Sequence, residues 1–496
     1  MEQDNLLKSY YMAMLRCLSY VFVMVGVVTV LPAFLVFFYR DEIPLMWCFV
    51  FPGILYIFVG YFIRLCTEGN RVTNFKRNSG SLLVLVLWLV SILLGAIPFA
   101  LTRDYSFLQA LFESTSGFTT TGFTVTDVAN APHVILMYRS LLHLVGGVGL
   151  VLILSLALSK TFGMQLFTAE GHLDRLAPSL RNSARVIILI YLGLITGGTI
   201  LFVLFGMEPF DAINQAIAAV STGGFSTKVE SFGYWHSVPI DITAIVLMMM
   251  GATNFMTTML VLKGKFREAL RNDETLITIF LIAVTAPIMI VQLLVNGVCQ
   301  NTLSAIDNGI FQVVAIITTT GMTTIDNFIP QLTFAMVPVI LLMIIGGNSG
   351  STAGGIKVYR AAFAIKSMFY DARSEIESGR IHRPRYMYRY GKQDNIDTNQ
   401  QSKNSTYIVM YLLIVLLGAF GLTLCGYDFY DSLFESFSAL GQVGLSSGIV
   451  GPNMGNPAMI IIIMEMILAR LEIYIVILGG ARLVADVKEV VTKVKK

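Results

Sequence analysis

Long apolar runs dominate this chain, at positions 21–38, 82–101, 134–158, 186–205, 240–262, 276–298, 334–345, 408–425 and 459–478. Most approach or exceed the roughly 20 residues that a helix needs to cross a hydrocarbon layer. Isolated strands cannot satisfy their backbones in lipid, so the runs are read as helices. The run at 21–38 is followed by Arg40-Asp41-Glu42 without a small-residue cleavage pattern, and is expected to be a retained helix rather than a leader.

Four short polar stretches centred on glycine interrupt the apolar background. They are Thr119-Thr120-Thr121-Gly122-Phe123, Ser221-Thr222-Gly223-Gly224-Phe225, Thr318-Thr319-Thr320-Gly321-Met322 and Gly441-Gln442-Val443-Gly444-Leu445. The glycines Gly122, Gly223, Gly321 and Gly444 are spaced by 101, 98 and 123 residues. Four similar loops at near-regular spacing predict four repeats around one axis. A ring of backbone carbonyls can replace the water shell of a bare cation. Glycine permits φ > 0, which lets successive carbonyls aim at that axis. The candidate cation-binding filter residues are Thr120, Thr121, Gly122, Thr222, Gly223, Thr319, Thr320, Gly321, Val443 and Gly444. The fourth loop is the least typical, having no Thr or Ser before its glycine.

Basic residues settle the expected orientation. Arg71, Lys76 and Arg77, then Arg175, Arg181 and Arg185, then Lys263, Lys265, Arg267 and Arg271 lie between alternate helix pairs. Further basic residues fill the polar stretch 360–403 and the end of the chain. Such segments face the cytoplasm, so all four glycine loops approach from the outer side. The predicted fold is an all-α membrane protein: four helix–pore helix–loop–helix repeats around a pseudo-fourfold pore, preceded by a helix pair. The helix pair is assigned to 1–75, the repeats to 76–170, 171–270, 271–370 and 404–496, and a cytoplasmic loop to 371–403. The Asn/Gln-rich part from 386 to 403 is expected to be a flexible loop.

Aligning on the central glycines exposes a second shared position. Nine residues earlier stand Glu113, Asn214, Gln312 and Glu435. Polar groups at membrane depth are costly and face a cavity or a partner. These four are expected behind the filter, hydrogen-bonded to its loops or to neighbouring pore helices. The pore helices would point their partially negative C-termini at a cation.

One more interruption stands out. Residues Ile345-Gly346-Gly347-Asn348-Ser349-Gly350-Ser351-Thr352-Ala353-Gly354-Gly355 break an apolar helix. Irregular backbone at that depth is tolerated only inside protein or beside a water-filled cavity. Because Lys357 and Arg360 follow, the segment lies on the cytoplasmic side of the filter, and a gate of Gly346, Gly347, Asn348, Ser349, Gly350, Ser351, Thr352, Gly354 and Gly355 is expected. Arg470 lies within the last apolar helix and could act as an electrostatic barrier, paired by Glu472 or by a loop carbonyl. Glu465 is a second charge in that run. His143 is expected to pack rather than to ligate.

Composition agrees. Of 496 residues, 55% are hydrophobic and 13% charged, against about 25% charge in soluble domains. Mean hydropathy is +0.72. A net charge of +3 gives no basis for a nucleic-acid partner. The five cysteines, Cys17, Cys48, Cys66, Cys299 and Cys425, are scattered without a CxxC pair and read as reduced residues. Lys357 stands where a phosphate-binding loop would need a Gly-Lys-Ser/Thr ending, and no strand precedes Val145-Gly146-Gly147-Val148-Gly149, so neither is a nucleotide fingerprint.

In combination these motifs resemble the Trk/Ktr/HKT superfamily of cation transporters, nearest the bacterial Trk-type potassium-uptake membrane subunit. The resemblance rests on Ser116-Gly117-Phe118-Thr119-Thr120-Thr121-Gly122, Leu144-Val145-Gly146-Gly147-Val148-Gly149, Gly163-Met164-Gln165-Leu166, Ser221-Thr222-Gly223-Gly224-Phe225-Ser226, the stretch from Ile345 to Lys357, and Ala469-Arg470-Leu471-Glu472. It implies a potassium-channel-like pore, with 345–355 as intramembrane gate and Arg470 beneath the filter. It implies a homodimer in the bacterial inner membrane, joined by a cytoplasmic nucleotide-binding regulatory subunit. A glycine in all four loops resembles the potassium-selective members. The chain departs from the family at Gln442-Val443-Gly444-Leu445, where an Asn-Leu-Gly-Pro type of sequence is common, and at Ala469, where glycine is common.

The leading expectation is therefore potassium uptake driven by membrane potential, with K+ as the transported ion and no other cofactor. Sodium uptake, or sodium- or proton-coupled potassium symport, is the alternative. An organic-solute transporter would need a larger site at broken helices, often in inverted repeats. No nucleophile–base pair or metal cluster in the sequence suggests an enzyme.

Overall fold

A computed structural model of the chain describes residues 2–68, 79–150, 180–326, 328–376, 386–389, 392–395 and 398–494. Helices α1 (Glu2–Val30) and α2 (Met46–Cys66) form the N-terminal pair, joined by two 3-10 turns, Leu31–Phe37 and Arg40–Leu45. The first repeat consists of α3 (Ser79–Leu101), the short α4 (Phe107–Thr119) and α5 (His133–Val148). The second holds α6 (Leu180–Leu204), the short α7 (Pro209–Val220), α8 (Val238–Ala252), α9 (Phe255–Leu262) and α10 (Phe266–Leu270). The third holds α11 (Asp273–Val295), the short α12 (Thr302–Ile317), α13 (Met336–Ile345) and α14 (Val358–Ile376). The fourth holds α15 (Thr398–Leu424), the short α16 (Phe429–Gly441), α17 (Asn456–Arg470) and α18 (Glu472–Val494).

Six helical segments among the described residues are long and apolar enough to cross a membrane, and the chain is a multi-pass membrane protein. Large apolar side chains such as Phe58, Leu204, Phe280 and Phe420 remain exposed on the outer wall. Apolar surface on that scale marks contact with lipid. The short helices sit inside. Their ends are set locally: Ser106 and Gln109 form a reciprocal capping box at the start of α4, and the Asp428 side chain accepts from Tyr430 N at 2.9 Å at the start of α16. The N-terminal pair is fastened to the first repeat by Glu42, which accepts from the backbone N–H groups of His133 (2.8 Å) and Val134 (2.9 Å). A carboxylate there complements the positive end of α5.

Two sequence expectations differ from the structure. The stretch 386–403 is not a loop where it is described. Strands β1 (Tyr386–Arg389) and β2 (Lys392–Asn395) form an antiparallel hairpin with Tyr386 opposite Asn395, and α15 begins at Thr398. Alternation explains the hairpin: Met387 is buried while Tyr388 is exposed, and Tyr388 N donates to Asp273 Oδ2 at 2.7 Å. The second difference concerns the inner helices. Only the third was expected to break, yet all four do. The breaks fall at Gly149 after α5, Thr253 and Asn254 between α8 and α9, Gly346 after α13, and Glu472 after α17. Gly149, Gly346 and Glu472 have positive φ, which ends a helix without needing a polar run in the sequence. The Gly163-Met164-Gln165-Leu166 motif and the end of the 134–158 run lie outside the described residues.

Candidate ion pathway: four loops and the segment beneath them

Each short helix ends in a loop of the same shape. A non-glycine residue takes the left-handed conformation and a glycine two positions later has positive φ: Thr120 and Gly122, Thr222 and Gly224, Thr319 and Gly321, Gln442 and Gly444. Left-handed threonine is strained, costing about 1–3 kcal/mol at such sites. Three of these four positions carry it, and the fourth carries Gln442.

The glycines close a ring. A Cβ on Gly122 would strike the carbonyl oxygen of Gly223, one on Gly224 that of Thr320, one on Gly321 that of Val443, and one on Gly444 that of Thr121. Each loop thus abuts the next in chain order, and the fourth abuts the first. The acceptor carbonyl always belongs to the residue before the next loop's glycine. Only glycine fits, on grounds of both φ and space. Loops one and three, opposite in this ring, share a further detail: the hydroxyls of Thr119 and Thr121, and those of Thr318 and Thr320, lie 2.8 Å apart.

This geometry corrects the register of the second repeat. Its equivalent glycine is Gly224, not Gly223, because the Gly-Gly pair offers two alignments and only the second has positive φ. The residue nine positions earlier is then Gln215, not Asn214. Gln215 Nε2 donates to the Ser226 hydroxyl at 2.7 Å, whereas Asn214 Nδ2 donates back along its own helix to Phe210 O at 2.7 Å. In the other repeats the expected residue reaches its loop. Glu113 Oε1 accepts from Thr124 Oγ1 (2.6 Å), Val125 N (2.6 Å) and Thr126 N (3.0 Å). Gln312 Nε2 lies 3.5 Å from Thr324 Oγ1, and Glu435 Oε1 accepts from Ser446 Oγ (2.5 Å) and Ser447 N (3.0 Å).

Arg139 was missed by sequence reasoning, although a cation in an apolar helix is the same signal that singled out Arg470. Its Nε donates to Glu113 Oε2 at 3.2 Å, both side chains being fully buried, and its guanidinium lies 4.0 Å from the Phe225 ring centre. His143, on the same helix, also stacks with Phe225 at 4.0 Å between ring centres and is tight against Gly223. It packs there.

Segment 346–355 runs beneath the loops. It is held from the side by Asn348 N donating to Ala252 O (3.0 Å), Thr278 Oγ1 donating to Asn348 Oδ1 (3.1 Å), and Asn254 Nδ2 donating to Ser349 O. Arg470 donates to the carbonyls of Thr352 (Nη1, 3.0 Å) and Gly146, and to Thr120 Oγ1 (3.3 Å). A loop carbonyl is therefore among its partners. Glu472 pairs instead with Arg360 at 2.8 Å. Glu465 lies apart from this, buried against Gly418 of α15 and Ser436 of α16.

Above the loops opens a vestibule of about 740 Å³, touched by Gly122, Gly224, Gly321 and Gly444. Below them, a cavity of about 50 Å³ is lined by Gly147, Ser351, Gly354, Lys357, Gln442 and Arg470, among others. The four loops stand between the two, with segment 346–355 on the lower side.

Four equivalent loops on four equivalent short helices, closed into a ring within a multi-pass helical protein, define a pore-repeat membrane protein. Residues 53–485 match the family model described as TrkH, cation transport protein. The chain is 30% identical to an uncharacterised cation transporter of Methanocaldococcus jannaschii, over 92% of this chain and 93% of that one. It is also 30% identical to the Trk system potassium uptake protein TrkH of Escherichia coli K12, over 80% and 84% of the two chains. The crystal structure of the potassium transporter TrkH from Vibrio parahaemolyticus superposes with a TM-score of 0.82 at 26% identity, covering 94% of this chain and 98% of that one. The chain belongs to the TrkH family of cation transport proteins, which is not an enzyme family.

Proposed function

We propose that the chain takes up potassium through the ring of loops, driven by the membrane potential and gated by segment 346–355 with Arg470. The observation that carries this reading is the closed cycle of glycine–carbonyl contacts, in which one backbone carbonyl from each loop, of Thr121, Gly223, Thr320 and Val443, abuts the glycine of a neighbouring loop. Equivalent carbonyls from four directions are what a dehydrated monovalent cation requires. The filter on this reading comprises Thr120, Thr121, Gly122, Thr222, Gly223, Thr319, Thr320, Gly321, Val443 and Gly444, with Gly224 added. Glu113, Gln215, Gln312 and Glu435 support it from behind.

An inside-negative potential draws a monovalent cation inward by about 2.3 kcal/mol per 100 mV, so accumulation needs no hydrolytic step in this chain. Potassium is favoured because named relatives are potassium uptake proteins and because every loop keeps its glycine. The inner membrane, a homodimer and a cytoplasmic nucleotide-binding regulatory subunit complete the proposal. Rescue of a potassium-uptake-deficient bacterial strain at low potassium tests it. Growth is the expected result; no growth with the protein present in the membrane would count against potassium uptake.

A further inference from the structure

We infer that the left-handed residues of the four loops latch segment 346–355, with the Thr352 hydroxyl as the central fastening. This rests on reading that segment as the gate. The glycines of the ring face the vestibule, but the residues two positions earlier face the segment. Repeats two, three and four touch the segment directly, and repeat one reaches it through Arg470. Thr120 Oγ1 and the Thr352 carbonyl share Arg470 Nη1, at 3.3 and 3.0 Å. Thr222 Oγ1 lies 3.0 Å from Thr352 Oγ1, which also lies 3.0 Å from Gly251 O. Thr319 Oγ1 accepts from Gly354 N at 2.8 Å. Gly354 is also tight against Gln442, for a Cβ on it would fall 2.8 Å from Gln442 Oε1.

The contacts explain two features that the ring alone does not. Threonine is an unfavourable residue for positive φ, so three strained threonines at equivalent positions call for a role that glycine could not fill. A hydroxyl pointing down from the loop supplies one. Gln442, the atypical residue of loop four, reaches the same target with a longer side chain. Thr120, Thr222, Thr319, Thr352 and Gln442 are all buried, so their contacts are shielded from bulk water. Opening the gate then means releasing contacts to every quarter of the filter, and the two cannot move independently.

The test is cation influx into vesicles containing the purified chain alone. Thr352→Val keeps the shape and removes the hydroxyl; it should raise influx about three- to tenfold, the value of one net hydrogen bond. Thr352→Ser should stay close to wild type. Thr222→Val combined with Thr352→Val should give no more influx than the larger single effect, because both remove the same contact. Multiplying effects would overturn the latch. So would wild-type influx in Thr352→Val while deletion of residues 349–353 raises influx; the gate reading would then survive. If the deletion also leaves influx unchanged, the gate reading itself fails. Should Thr352→Val not give monodisperse protein, Thr319→Val, which removes the acceptor for Gly354 N, carries the same expectation and the same refutation.

Discussion

Gly444 lies against the carbonyl oxygen of Thr121, so the last loop of the chain closes on the first. More than 300 residues of sequence separate them, and no local preference could bring them together. Closure turns four similar loops into one ring with a shared tolerance. Gly444→Ala would place a methyl group on that carbonyl at a residue with φ +80°. Cation influx in vesicles should fall by at least about tenfold, the scale of 1.4 kcal/mol or more of backbone strain. Wild-type influx would show that the ring is not tight there.

Gly122→Ser tests selectivity in the first quarter. The added side chain must displace the Gly223 carbonyl oxygen, so the ring loses its even geometry. Competition by sodium against potassium influx should increase. Unchanged competition would count against the filter assignment.

The support layer makes a graded prediction. Glu113 neutralises Arg139, both fully buried, whereas the described ion pairs include none for Glu435. Breaking a buried pair from one side costs about 3–5 kcal/mol because a charge is stranded. Glu113→Gln should therefore lower the melting midpoint of the purified protein more than Glu435→Gln. Equal shifts would mean that the Arg139 pair contributes nothing special.

The register of the second repeat can be decided directly. Gln215→Leu removes the donor to Ser226, at a cost of about 1 kcal/mol or more, and should reduce influx. Asn214→Leu removes only a bond within its own helix and should have the smaller effect on influx. The reverse order would restore Asn214 as the supporting residue.

Much of this was legible in the sequence. Long apolar runs mark the helices, and four glycine stretches mark the loops. Glu113, Gln312 and Glu435 could be found by offset alone because a single glycine fixes the register in those repeats. Gly223-Gly224 does not fix it, and aligning on Gly223 places the support position at Asn214 rather than Gln215. Breaks at Gly149 and Glu472 were invisible because one positive φ needs no polar run. The Arg139–Glu113 pair was missed because its partners lie on different helices, which only packing brings together. The hairpin at 386–395 was hidden because polar strands and loops share a composition; the Asp273 anchor for Tyr388 is distant in sequence.

On the proposed reading, Arg470 is part of the gate. Arg470→Ala removes donors to Thr120 Oγ1 and to the carbonyls of Thr352 and Gly146. Influx through the chain alone should rise several-fold, as a positive charge leaves the path and the segment loses a tether. A lower melting midpoint with unchanged influx would mean that Arg470 only joins helices.

The central claim is that the ring selects potassium, and ion competition tests it most directly. Purified protein in vesicles, held at a fixed inside-negative potential, would take up labelled rubidium while external potassium or sodium is titrated. Potassium should compete at concentrations far below those at which sodium does. Equal competition by sodium would contradict the account.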